Sequence, residues 1–116
     1  MANSRMKDFF DIWVLALMFE FDGSRLAQGI RATFEQRRTP IPVAPPLALT
    51  AEFYADPGKQ VQWGAFLRKG RLKMQEREFS KVVSILRDFL MPPAVAAAES
   101  REFSQRWSAG GAWRTR

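Results

Sequence analysis

The chain reads as an all-α domain of four main helices, one short helix and a proline-rich connector. Three observations predict this. Apolar residues recur at helical spacing in several stretches, Gly and Pro punctuate those stretches where helices begin and end, and no run alternates in the manner of a half-buried strand.

The first helix takes Ser4 as its N-cap, carries Asp8 and Asp11 toward the positive end of its dipole, and stops at Asp22-Gly23, where glycine accepts a left-handed conformation. Its second half is apolar on every side and so demands cover. Basic residues ahead of the apolar run Ile12–Phe19 imitate a secretory signal. Asp8, Asp11 and the acids at 20 and 22 break that pattern, and the run falls far short of the ~20 residues that cross a bilayer. A buried helix of a cytoplasmic protein with no membrane partner is expected.

A second helix opens with Ser24 as N-cap and runs to about Arg38, with Leu26, Ile30 and Phe34 at helical spacing. Pro40, Pro42, Pro45 and Pro46 then make residues 39–49 an extended connector. Thr50 caps a short helix through Tyr54, and Asp56-Pro57 places a cap before a first-turn proline, opening a helix over 57–69. The cleanest period lies in Glu78–Met91, where Phe79, Val82, Val83, Leu86, Phe89 and Leu90 form one stripe and Pro92-Pro93 is the expected stop. The domain therefore spans 1–93. Residues 94–116 read as a basic, frayed tail in which Trp107 and Trp113 stand isolated.

Composition narrows the chemistry. The 116 residues contain no Cys and no His, which excludes a disulfide scaffold, thiolate metal sites and histidine-based acid–base catalysis. Carboxylates, Lys, Arg, hydroxyls and a hard cation such as magnesium remain. The net charge of +6 is compatible with an ordinary soluble domain, and no segment is a block of one sign.

The densest ionisable group is Arg5, Lys7, Asp8 and Asp11. Lys7 and Asp11 are i, i+4, while Asp8 stands i, i+3 from both Arg5 and Asp11, so the four crowd one and a half turns. Spacing leaves two readings open. One is a solvated, salt-bridged first turn. In the other, a carboxylate positions a metal, a sugar or an attacking hydroxyl, and a cation meets phosphate. Arg68, Lys69, Arg71 and Lys73, beside Trp63 and Phe66, likewise form either a solvated helix end or a nucleic-acid patch. Gly23-Ser24 would suggest a nucleotidyl-transfer motif only if Asp-x-Asp followed, and it does not; no metal ligand set is assigned.

The stretch from Met1 through Arg5-Met6-Lys7-Asp8-Phe9-Phe10-Asp11 to Trp13, then Phe21-Asp22-Gly23, then Asp56-Pro57 to Arg68 and a closing amphipathic helix, resembles the C-terminal part of the AbiEii/AbiGii toxins. These are type IV toxin–antitoxin, or abortive-infection, nucleotidyltransferases. The resemblance covers about residues 1–93. It implies the helical C-terminal region of a two-part enzyme whose Gly-Ser and Asp-x-Asp motifs lie upstream of these residues.

On that resemblance Asp8 is the late catalytic carboxylate, with Arg5, Lys7 and Asp11 as nucleotide or phosphate contacts; whether Asp8 or Asp11 is primary stays open. Mg2+ and NTP are the implied cofactors. With the early motifs missing, the chain alone is expected to be inactive and to bind neither tightly. The implied partners are the N-terminal nucleotidyltransferase portion, an antitoxin and an RNA acceptor. The alternative is a free-standing basic helical module that binds an antitoxin or RNA through the 68–73 cations.

Overall fold

A computed structural model describes residues 2–70 and 76–115, with side chains from residue 6 onward. Helix α1 spans Ala2–Met18 and buries Met6, Phe9, Trp13 and Ala16, which follow one another at three- and four-residue steps down a single side. It opens two residues before Ser4 and ends before Asp22-Gly23. Phe21–Asp22 instead form a short strand, β1. The cover demanded by its apolar half is incomplete: Leu15, Met18 and Phe19 remain 43%, 56% and 52% exposed.

Helix α2 spans Gly23–Gln36. Its cap is Asp22, not Ser24: the Asp22 carboxylate accepts from the Ser24 backbone N–H at 2.9 Å. Gly23 has a different job from the one expected. A Cβ there would lie 2.5 Å from Cδ2 of Phe103 and 2.6 Å from the Gln105 carbonyl oxygen, so its missing side chain lets the C-terminal segment press against the helix start. At the other end Arg38, at φ 54°, closes a Schellman turn in which Thr39 N–H reaches the Phe34 carbonyl and Arg38 N–H reaches that of Glu35.

The prolines of 40–46 carry the chain without helix or strand to a 3-10 turn, Leu47–Leu49. Helix α3, Ala51–Tyr54, follows Thr50, whose hydroxyl donates back to Leu47 O and leaves the helix start alone. Helix α4, Pro57–Gly70, opens on Asp56, whose carboxylate accepts from the Lys59 backbone N–H at 3.0 Å. Helix α5, Phe79–Ala98, runs straight through Pro92 and Pro93, where a stop was expected. Proline removes a helical donor, which orphans a carbonyl four residues back. For Pro93 that carbonyl belongs to Phe89, and the Trp113 indole N–H donates to it at 3.1 Å.

The all-α expectation is overturned by a three-stranded antiparallel sheet, β1-β2-β3, in which β2 is Gln105–Trp107 and β3 is Trp113–Thr115. Phe21 pairs with Trp107, and Trp107 with Trp113. Strands of two and three residues are too short to show alternation, and β1 pairs with β2 across more than eighty residues of chain. The Trp107 indole donates to the Ala16 carbonyl at 2.8 Å, and Gly110 N–H reaches the same oxygen at 2.9 Å. Both bonds satisfy an acceptor that the end of α1 leaves open.

Three packed clusters hold these elements. The main one joins Met6, Phe9 and Trp13 to Leu49, Phe53, Trp63, Leu67 and the first half of the α5 stripe; Phe79 stands edge-on to Phe9 and stacked with Trp63, both at 5.2 Å. Ala27, Ala96 and Ala97 let α2 and α5 approach closely, with Phe103 beside them. Ala16, Phe89 and Trp107 form the third cluster. No polar side chain is buried among the described residues.

Candidate functional site

Burying Met6, Phe9 and Trp13 forces the residues between them outward. Lys7, Asp8 and Asp11 are all exposed, on the side of α1 that faces away from the core. Lys7 Nζ meets Asp11 Oδ2 at 2.6 Å across one helical turn. That hydrogen bond and the charge of Asp11, with a smaller contribution from Asp8, raise the Lys7 pKa above the ordinary lysine value. Asp8 is exposed and makes no hydrogen bond to a described side chain. Arg5 lies on the first turns of α1, but its side chain is outside the described ones.

The second group is only partly described. Arg68 and Lys69 are exposed on the last turn of α4, where cations suit the negative end of the dipole. Arg71 and Lys73 lie outside the described residues. Among the described residues no three carboxylates gather into a group able to hold a metal ion, so Asp8 and Asp11 do not by themselves make a magnesium cage. Nor is any described helix long and apolar enough to cross a membrane.

One charged locality was missed in the sequence. Arg31 and Arg38 border a cleft between α2, the proline strap and the end of α5, and Arg31 donates to the Ala97 carbonyl at 3.3 Å. Arg31 stands on α2, and Arg38 stands just past its end in the left-handed turn. The partner sixty-six residues away is a matter of tertiary placement that no local pattern announces.

Fold and site together define a small helical module that displays a carboxylate-and-lysine face while lacking the cysteines and histidines of other chemistries. The family model described as nucleotidyl transferase AbiEii toxin, Type IV TA system, matches residues 1–89, more than half of the chain, and the chain belongs to that family. The match takes in α1 with its exposed charges and stops within α5, before β2 and β3. No curated protein and no solved structure gives a match. A nucleotidyl transferase works on a nucleoside triphosphate with a divalent metal, and a type IV system pairs its toxin with an antitoxin.

Proposed function

We propose that this chain is the helical C-terminal part of an AbiEii-type nucleotidyl transferase toxin and that the outer face of α1 is its contribution to the transfer site. The observation that carries this reading is the display of Lys7, Asp8 and Asp11 on the solvent side of a helix whose other side is locked into the core. A helix held in that way presents charge with little reorganisation, which is what a phosphoryl-transfer site needs from its positioning groups.

Asp8 is the catalytic carboxylate: exposed on α1, it accepts the proton of the attacking hydroxyl of an RNA acceptor. Lys7, oriented by Asp11, offsets negative charge on the phosphate, and Arg5 adds a second cation. The sequence contains no Gly-Ser followed by Asp-x-Asp. Metal and triphosphate are held by a portion that carries those motifs, so the chain alone is inactive. It works in the cytoplasm, where nucleoside triphosphates are available, and an antitoxin controls it.

The test is transfer of a labelled nucleotide to RNA, by the isolated chain and by the chain supplied with an AbiEii-type portion bearing Gly-Ser and Asp-x-Asp. Activity is expected only in the second case, with Asp8→Asn lowering it by ~10²-fold or more while the helical circular dichroism stays unchanged. Transfer by the isolated chain that is indifferent to Asp8→Asn overturns the reading. Exposed Arg68 and Lys69 favour a second reading, an RNA-binding module. It requires an RNA affinity that falls steeply with salt and loses that slope in Arg68→Ala/Lys69→Ala.

A further inference from the structure

Arg31 and Phe34 stand at i and i+3 on one side of α2, and Arg38 follows in the left-handed turn that ends it. Together with Ile41 of the strap and Ala97 and Ser100 at the end of α5, they line a cleft of about 620 Å³. That volume is in the usual range of ~300–1,000 Å³ for small-ligand sites. No described side chain of α1 lines it, so nothing that follows depends on the role given to Asp8.

Three observations converge there. Two guanidiniums share the cleft with a single carboxylate, Glu35. Arg31 spends one N–H on the Ala97 carbonyl and keeps the rest of its five donors. The ring of Phe34 is half-buried yet has no aromatic partner among the described residues and belongs to none of the three clusters. Finally, the helices bordering the cleft both end in Schellman turns whose left-handed position holds a side chain: Arg38 at φ 54° and Ser100 at φ 55°. Glycine at either place would avoid a conformational cost of ~1–2 kcal/mol. Both strained residues line this one cleft, and strain concentrated at one place is a mark of function.

The geometry points to a binding site for a phosphate monoester carried on a flat apolar body, the chemistry of a nucleoside monophosphate. Two Arg forks match the two charges and three oxygens of a phosphate monoester, where a lone carboxylate would occupy only one. Ser100 adds a hydroxyl donor. Phe34, Ile41 and Ala97 supply the apolar floor for the body of the ligand.

Arg38→Gly is the decisive variant, because it deletes the guanidinium and relieves the backbone at the same time. The full chain is titrated with AMP, inorganic phosphate and adenosine, and the backbone amide shifts of residues 31–39 and 97–100 are followed by NMR. AMP is expected to saturate with a Kd below about 1 mM, phosphate to bind more weakly at the same amides, and adenosine not to saturate. Arg38→Gly is expected to bind AMP roughly tenfold more weakly while unfolding at the same or a higher urea concentration. Equal binding by Arg38→Gly, equal binding of adenosine and AMP, or failure of AMP to saturate at about 10 mM would each overturn the assignment. So would shifts confined to residues 7–11.

Discussion

The indole Nε1 of Trp113 donates to the carbonyl oxygen of Phe89 at 3.1 Å, taking the place of the backbone N–H that Pro93 does not have. A tertiary contact thus repairs a local defect in α5. Trp113→Phe keeps a ring on Phe89 and removes the donor, and its expected cost is ~1–3 kcal/mol in urea unfolding. In a Pro93→Ala background the new N–H serves Phe89 directly. The cost of Trp113→Phe should then shrink by ~1 kcal/mol, a non-additivity that a double-mutant cycle reads.

Two glycines in α2 should respond to alanine with opposite signs. At Gly23 the new methyl collides with Phe103 and with the Gln105 carbonyl, so Gly23→Ala is expected to destabilise by ~1–3 kcal/mol. At Gly29 nothing lies within 4 Å, and Gly29→Ala should stabilise by ~0.5–1 kcal/mol. Thermal melts of the two variants make the comparison.

Ser100 should accept glycine with a gain in stability. The C′ residue of α5 sits at φ 55°, with Arg101 N–H bonded to the Ala96 carbonyl at 2.8 Å, and glycine adopts that backbone freely. Ser100→Gly is expected to add ~0.5–1 kcal/mol to unfolding, the relief of strain being partly offset by the greater freedom of glycine in the unfolded chain. Urea midpoints at constant m-value would show it.

Lys7 offers a titration signature. Its pKa is raised by Asp11 first and by Asp8 least, so Asp11→Asn should move its NMR titration back toward the ordinary lysine value, and Asp8→Asn should move it less. A raised lysine pKa favours the folded state below the unfolded value of 10.5, and that contribution disappears as pH climbs through the folded one. The pair's contribution should therefore be present and constant between pH 6 and 9, so a pH series of melts for Asp11→Asn should show the same difference from the parent chain across that range.

Features written locally were legible in the sequence. Asp56-Pro57 opens α4, the stripe from Phe79 to Phe89 is the buried side of α5, and the Lys7–Asp11 spacing became a 2.6 Å contact. Features that depend on distant partners were not. The prolines at 92 and 93 read as a stop because their remedy, Trp113, is supplied by a strand twenty residues on. Gly23 read as a left-handed stop because Phe103 was invisible beside it. The same reason hid the cleft: Arg31 and Arg38 were scattered cations until α5 delivered Ala97 and Ser100 to them.

The bond from Trp107 to Ala16 spans ninety-one residues of chain. A ribosome adding ~5–20 residues per second finishes α1 some ~5–18 s before it makes the indole that closes it. Throughout that interval the nascent helix carries a bare carbonyl end next to Leu15, Met18 and Phe19. During synthesis the end of α1 is thus open to any chaperone or protease that reads unfinished ends, and the late strands close its carbonyl while leaving those three side chains partly exposed.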